Sequence, residues 1–240
     1  MKSSCFLATI AASALFLNAC DRPQKPAGKA PDPATAARQD IPVLPVKKGD
    51  FWRYDVRLQI PADVTSPGAA EVDASHQRTR NYLGKLSPAT GLPEVDCFEV
   101  VAPNAPAERE FVEISDDRIL MRGSMIMRPE TTKPMWLDRP VPFVIAGMKA
   151  GTGLPEFETG GGGLSRKPQV VARENITVPA GNFPCIRILM TGKDGDLELR
   201  RTTWFSPGNG IIREEKIRYR KEKVIFRETQ QLIETSIKRP

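Results

Sequence analysis

From residue 51 onward, apolar and polar residues alternate along the chain. The apolar residues at the start of this region are Trp52, Tyr54, Val56, Leu58 and Ile60. One polar or charged residue stands between each of them and the next. A period of two is typical of a β-strand with one buried face. Weaker runs of the same kind follow at 72–86, 95–101, 108–115, 118–127, 169–178, 185–191, 196–205, 211–220 and 222–234. The pattern predicts a chain built from strands.

The strands are expected to form one all-β domain. No segment shows the apolar period of a helix, and turn-forming clusters such as 193–196 and 206–210 separate several runs. Strands joined in sequence by short turns favour a single antiparallel meander, curled into an open barrel or a sandwich. Residues 129–167, which contain several prolines and the glycine run 160–163, are expected to be irregular.

Charge is distributed along the chain without a strong local excess. Lys and Arg number 35 and Asp and Glu 29, so the formal net charge is +6. The signs alternate between Arg213 and Arg220, which we interpret as a solvated strand face. No basic patch with interleaved aromatic residues is present, and nucleic acid is therefore not an expected partner.

The first 19 residues have the features of an export signal. Lys2 provides the positive start, and residues 6–17 form an uncharged, largely apolar run that is too short to span a bilayer. The run ends in Leu17-Asn18-Ala19-Cys20, which resembles the lipobox of bacterial lipoproteins. That resemblance implies cleavage before Cys20, acylation of Cys20 (palmitate among the chains) and a location in the cell envelope facing the periplasm.

The residues after Cys20 are expected to form an unstructured tether. Asp21 resembles the inner-membrane retention signal of enterobacterial lipoproteins. Prolines interrupt an Ala-rich stretch at Pro23, Pro26, Pro31, Pro33, Pro42 and Pro45. A segment of this composition is extended and semi-rigid. We therefore divide the chain into a signal peptide (1–19), a lipidated cysteine with its tether (20–46) and a β-domain (47–240).

Two further cysteines lie in apolar strand contexts. Cys97 and Cys185 are candidates for a disulfide, since the compartment beyond the inner membrane is oxidising. The alternative is a pair of buried free thiols. The two cysteines also begin similar segments, 97–101 and 185–189, which leaves open an internal duplication that would place them at equivalent but distant positions.

Two motifs carry a family resemblance. Residues 178–188 read VPAGNFPCIRI and residues 203–214 read TWFSPGNGIIRE. Together they resemble an uncharacterised group of secreted bacterial β-proteins, many of them lipoproteins, over roughly residues 45–235 and most specifically over 170–235. Some members of that group look like the open half-barrels that carry lipids or lipoproteins in the envelope. The resemblance implies a fold and assigns no activity.

No catalytic or metal-binding pattern stands out in the sequence. His76 is the single histidine, and it lies on a predicted strand without a nucleophile motif. Cys97 and Cys185 lack metal-ligand spacing, so no metal or cofactor is expected. Acidic residues suffice for a glycosidase pair, and they include Glu94, Asp96, Glu99, Glu108, Glu110 and Glu113.

The sequence therefore favours a non-catalytic, membrane-anchored envelope lipoprotein that binds an apolar ligand or an envelope partner. Two alternatives remain open at this point, a purely structural or interaction module and a carboxylate-based envelope hydrolase. An apolar cleft in a half-barrel is expected to use the candidate residues Trp52, Tyr54, Met121, Met125, Met127 and Trp204.

Overall fold

The computed structural model describes residues 42–128, 133–158 and 165–237. The signal peptide, Cys20 and Asp21 lie outside the described residues. Twelve strands are described: β1 (Phe51–Ile60), β2 (Val72–Leu86), β3 (Val95–Val101), β4 (Glu108–Ile114), β5 (Arg118–Ile126), β6 (Met135–Ile145), β7 (Phe157–Glu158), β8 (Ser165–Val178), β9 (Gly181–Asp194), β10 (Leu197–Ser206), β11 (Gly210–Arg220) and β12 (Lys223–Thr235).

All twelve strands belong to one antiparallel sheet. Their order is β6-β5-β4-β3-β2-β1-β12-β11-β10-β9-β8-β7. Consecutive strands pair with each other except for β6 and β7, and the first strand, β1, also pairs with the last, β12. The sheet is therefore two six-strand meanders joined at one seam. Because β6 and β7 remain as edges, the sheet is open, and the prediction of an all-β open barrel or sandwich is confirmed.

The sheet curls until its two halves pack against each other. Phe143 of β6 and Phe205 of β10 stand far apart in strand order, yet their ring centroids are 6.1 Å apart. The concave face holds much of the main apolar core, which includes Trp52, Tyr54, Tyr82, Phe98, Val112, Ile186, Ile212 and Leu232. These large side chains fill the interior at the end where β1 begins, which we call the closed end.

The closed end is sealed by residues 42–46, which we call the strap. Val43 and Leu44 are 1% and 3% exposed and lie in the main core. The Val43 N–H donates to the carbonyl of Asp116 at 2.9 Å, and the Val43 carbonyl accepts from Gly208 N–H at 2.9 Å. The predicted boundary between residues 46 and 47 is therefore too late, because apolar burial and turn hydrogen bonds already fix the chain at Val43.

A second apolar cluster covers part of the convex face. Val95, Cys97, Phe111 and Met125 are buried there, and Trp136 packs against them. The Phe111 and Trp136 ring centroids are 6.4 Å apart. In this half of the molecule the strands β3 to β5 therefore bury side chains on both faces.

The described parts of the region 129–167 are more regular than their prolines suggest. The strand β6 occupies Met135–Ile145, including Pro140 and Pro142, and β8 begins at Ser165. The strand β6 is an edge of the sheet, and an edge strand tolerates proline because its outward N–H groups need no partner. The expectation of an irregular region is therefore wrong for these segments.

The proposed disulfide is not formed. Cys97 and Cys185 are both buried free thiols, on β3 and β9. Five strands separate β3 from β9 in the sheet, and the two thiols belong to different apolar clusters. The two similar segments therefore lie on strands that are six positions apart in the sheet, as a tandem repeat of a six-strand unit would place them.

Candidate functional site

The open end of the concave face is lined with charged side chains, in contrast to the apolar closed end. Cross-strand partners share a face, and the register pairs Tyr54 with Arg78 across β1–β2 and Glu214 with Gln230 across β11–β12. These side chains surround a cavity together with Arg80, Val100, Glu108, Glu110, Arg201 and Lys216. We call this cavity and its entrance the mouth.

Glu214 is at the centre of the wall formed by β10–β12. Arg201 donates to Glu214 Oε2 from Nε at 2.7 Å, and Thr203 Oγ1 donates to the same oxygen at 3.2 Å. Lys216 Nζ lies 3.2 Å from Glu214 Oε1. Burial alone raises the pKa of Glu214, but the charges of Arg201 and Lys216 outweigh it and hold the pKa at about 2.

In the same wall, Lys216 connects Glu214 to a second carboxylate, that of Glu228. Lys216 Nζ donates to Glu228 Oε1 at 3.0 Å, and Arg78 donates to both Glu228 oxygens at 3.0 and 2.8 Å. Arg78 also donates to Gln230 Oε1 at 2.9 Å. Burial opposes ionisation of Glu228, but these two cations hold its pKa at about 2. The wall is a continuous network of paired charges.

The opposite wall, from β2 to β4, carries its own ion pair. Arg80 Nε donates to Glu110 Oε2 at 2.8 Å, and the Arg80 guanidinium stacks 3.6 Å from the centroid of the Phe98 ring. Glu108 lies beside this pair, two residues from Glu110 on the same face. Partial desolvation, followed by repulsion from Glu110, raises the pKa of Glu108.

The cavity is small and its entrance is apolar. Its volume is about 160 Å³, which is below the roughly 300–1,000 Å³ of pockets that enclose whole drug-sized ligands. By register, the same face carries apolar side chains toward the open ends of the strands, and we call them the rim: Leu58, Val72, Ile126, Met135, Leu199 and Phe226. Val72, Ile126 and Met135 are 39%, 49% and 42% exposed. A small polar group fits inside, with apolar surface available outside.

The six side chains predicted to line an apolar cleft do not meet in one. Trp52 and Tyr54 are 0% and 1% exposed and belong to the filled core. Met125 lies in the convex-face cluster, and Met127 follows β5 at 37% exposure. Trp204 is buried, with its Nε1 donating to Glu174 at 2.8 Å.

Met121 lines a contact between the two halves that leaves room for about one water molecule, 20 Å³. Among the predicted cleft residues, only Tyr54 touches the charged cavity. Its hydroxyl donates to the Ile211 carbonyl at 3.0 Å, and burial raises its pKa strongly. Interior space that an apolar ligand needs is therefore occupied by aromatic side chains.

The acidic residues offer no obvious hydrolytic pair. Asp96 accepts from the Tyr82 hydroxyl at 2.5 Å and from Ile114 N–H at 3.0 Å, so it holds the core together. A raised pKa at Glu108 and a lowered one at Glu214 match the division between a general acid and a nucleophile. However, Glu214 is 2% exposed and both of its oxygens accept hydrogen bonds or ion pairs, which leaves it without free access to a substrate.

His76 is half-buried on β2. Within the described residues, no group of three metal-ligating side chains is found. The same part of the chain contains no helix with the length and apolarity needed to cross a membrane.

The charged walls of the mouth were missed by reading the sequence. The alternation from Arg213 to Arg220 predicts a solvated face. However, Glu214 and Lys216 follow Ile212 by two and four residues, so they lie on the same face of β11 as this side chain, which is 0% exposed. The same holds on β2, where Arg78 and Arg80 lie on the same face as the buried Tyr82. A spacing of two or four residues from a large apolar residue was the sequence signal that could have placed these charged side chains on the concave face.

Comparison with known proteins yields two structural likenesses. One is a protein from Bacteroides fragilis described as a candidate exported protein with a YmcC-like fold, with 14% identity, a TM-score of 0.45, and coverage of 82% of this chain and 99% of that one. The other is a candidate lipoprotein from Parabacteroides distasonis, with 12% identity, a TM-score of 0.46 and the same coverage. No family model matches the chain, and no curated protein is significantly similar to it in sequence.

Proposed function

We propose that the protein is a bacterial envelope lipoprotein, anchored through lipid on Cys20, whose β-domain acts by binding and not by catalysis. The anchor rests on the leader, which ends in Leu17-Asn18-Ala19-Cys20. Two or three acyl chains on one cysteine anchor stably where a single chain does not. The domain faces the periplasm in this proposal, and Asp21 favours the inner membrane where the enterobacterial sorting rule applies.

The observation that carries the binding role is the division of the concave face. Its closed end is filled by side chains, while its open end holds a cavity of about 160 Å³ with charged walls and an apolar rim. The ligand is therefore a molecule that inserts a polar group into the mouth and rests its apolar part on the rim. This replaces a wholly apolar ligand, for which the filled core leaves no space.

The anchor is tested by metabolic labelling with an alkyne analogue of palmitate. The full chain is expected to incorporate the label and to fractionate with membranes. Cys20→Ala is expected to lose both properties, whereas Cys5→Ala, which alters the other leader cysteine, retains them. Labelling of the Cys20→Ala variant contradicts the anchor.

Binding in the mouth is tested by native mass spectrometry of the full-length lipoprotein extracted from membranes of its host in mild detergent. The protein is expected to carry a non-covalent small-molecule mass. Ala105 lines the cavity and is exposed, so Ala105→Trp blocks the mouth with little effect on folding. Ala150→Trp, at an exposed position between β6 and β7, is the matched control.

The retained mass is expected to disappear in Ala105→Trp and to persist in Ala150→Trp. Its absence from the native protein contradicts the proposed function, and so does its persistence in Ala105→Trp. Thermal melting of both variants verifies that they are folded.

A further inference from the structure

Arg166 lies on the concave face and has no ion-pair partner among the residues that the structure describes. It begins β8, and its side chain lies in the contact between the two halves with Phe143, Phe157 and Arg201. Its Nε is buried and has no hydrogen-bond partner among the described residues. The side chain as a whole is half-buried, and a partly desolvated charge without a partner costs free energy.

The surroundings of Arg166 are positive. Burial lowers its pKa, and the nearby charges of Arg201 and Arg218 lower it further. Arg218 shares the concave face, because the register aligns Arg166 with Gly192, Gly192 with Leu199 and Leu199 with Arg218. Gly192 and Leu199 lie between the two arginines across the sheet, and Gly192 contributes no side chain there.

The described ion pairs of the mouth use the other cations. Glu214 and Glu228 are neutralised by Arg201, Lys216 and Arg78, and Glu110 by Arg80. The Arg218 guanidinium stacks on Phe226 at 5.0 Å and takes part in none of these pairs. Arg166 and Arg218 thus leave two positive charges at the open end that a ligand can neutralise.

We propose that Arg166 and Arg218 form an anion site at the mouth, and that the ligand is an amphiphile with a phosphate-class head group. This inference rests on the proposed binding function and names its chemistry. Guanidinium groups present planar, paired N–H donors that match phosphate oxygens. Arg218 is exposed and Arg166 is half-buried, so the phosphate is placed at the entrance of the mouth, outside the 20 Å³ contact between the two halves.

The position of the rim explains why the anion is expected to carry an apolar chain. Phe226 stacks under Arg218, and Leu199 is its cross-strand partner on β10. Both belong to the rim, so an anion held by Arg218 has its substituent next to apolar surface. Burial of that substituent contributes about 25 cal/mol per Å² of apolar area. Free phosphate lacks this contribution and is expected to bind more weakly.

The site is tested by native mass spectrometry of the detergent-extracted full-length protein, titrated with three probes. These are dihexanoyl phosphatidic acid, inorganic phosphate and dihexanoyl phosphatidylcholine. Phosphatidic acid is expected to bind at least tenfold more tightly than either of the others. Equal binding of inorganic phosphate overturns the amphiphile, and equal binding of phosphatidylcholine overturns the selectivity for an anion.

Three variants separate a ligand site from a structural role. Arg166→Met and Arg218→Gln are each expected to weaken phosphatidic acid binding at least tenfold. Arg200→Gln is the control, since Arg200 is an exposed arginine on β10 that pairs with Glu198 outside the mouth. It is expected to bind like the native protein. Unchanged binding in Arg166→Met overturns the proposal.

Thermal melting of ligand-free Arg166→Met is the second measurement. Because Arg166 is half-buried, has no hydrogen-bond partner at Nε among the described residues and lies near Arg201 and Arg218, its replacement by an apolar side chain is expected to raise the melting temperature or leave it unchanged. A fall in melting temperature overturns the ligand-binding role. Failure of all three probes, while the co-purified mass is still lost in Ala105→Trp, refutes the anion site and leaves the proposed binding function in place.

Discussion

Glu214 is a carboxylate placed almost entirely inside the protein by its neighbours. It has three partners, Arg201, Lys216 and Thr203, and is 2% exposed. Breaking a buried ion pair by removing one partner leaves the other charge without compensation, which typically costs about 3–5 kcal/mol. The wall of the mouth therefore depends on this single residue.

We expect Glu214→Gln to lower the free energy of unfolding by about 3–5 kcal/mol at pH 7. Glu198→Gln breaks an exposed pair with Arg200 and is expected to cost less than about 1 kcal/mol. Urea denaturation of both variants gives the comparison. A similar loss in the two variants contradicts the assigned role of Glu214.

The same residue sets a pH dependence. The pKa of Glu214 is lowered from 4.5 to about 2, so its ionised form stabilises the fold above about pH 4.5, and this stabilisation is lost as the pH falls toward 2. Glu228 acts in the same direction. We expect the native protein to lose stability between about pH 5 and pH 2, and Glu214→Gln to lose less over that range.

The two thiols give a second test at the scale of single residues. Burial raises the pKa of Cys97 to about 11 and that of Cys185 to about 12. Since the thiolate is the reactive form, we expect neither to react with iodoacetamide at pH 8 in the folded protein. Both are expected to react after denaturation without reductant. Fewer than two reactive thiols in the denatured protein indicates a disulfide.

At the scale of the strand, the pairing of β5 with β6 depends on a glycine. Gly123 pairs with Trp136, and a Cβ at Gly123 would lie 2.1 Å from the carbonyl oxygen of Met135. That atom belongs to the backbone, so the strand itself has to move to make room. Only glycine allows β6 to approach here.

We expect Gly123→Ala to destabilise the protein by about 1–3 kcal/mol and to accelerate amide hydrogen exchange in β6. Gly153→Ala is the control, because a Cβ there meets no atom within 4 Å. Hydrogen exchange by mass spectrometry and urea denaturation measure both variants. Unchanged exchange in β6 of Gly123→Ala contradicts the role of this close contact.

The strands themselves were largely predictable, whereas their partners were not. The two-residue period located β1 and most of the other strands, because a strand with one buried face has an apolar residue at every second position. It missed β6, where Pro140 and Pro142 are tolerated only because that strand is an edge. Whether Cys97 and Cys185 lie close together depends on the order of the strands in the sheet, and the local sequence pattern carries no information about that order.

At the scale of the whole molecule, the domain begins at the strap. Val43 and Leu44 fill the closed end between the turns that contain Asp116 and Gly208. The sequence does not reveal the mouth, because a charged residue on a concave face has the same sequence pattern as one on a solvated face. The two can be distinguished only when the curl of the sheet is known. With the strap assigned to the domain, the predicted tether shortens to residues 21–41, about 65 Å when extended.

We expect a truncated protein that starts at residue 42 to melt at the same temperature as one that starts at residue 21. A protein that starts at residue 47 lacks the strap and is expected to melt well below both. Leu44→Ala in the longer protein is expected to cost about 2–5 kcal/mol. Equal melting temperatures for the proteins starting at residues 42 and 47 contradict the assigned boundary.

The strap also determines how the domain responds to mechanical force. A force applied to the chain ahead of residue 42 enters the described part of the domain at Val43, which is held by hydrogen bonds to two separate turns. Beyond it, the load enters β1, a central strand paired on both sides with β2 and β12. A pull along β1 loads its two ladders in shear, so many hydrogen bonds share the force instead of opening one after another. Such a force is therefore taken up first at the closed end, away from the mouth.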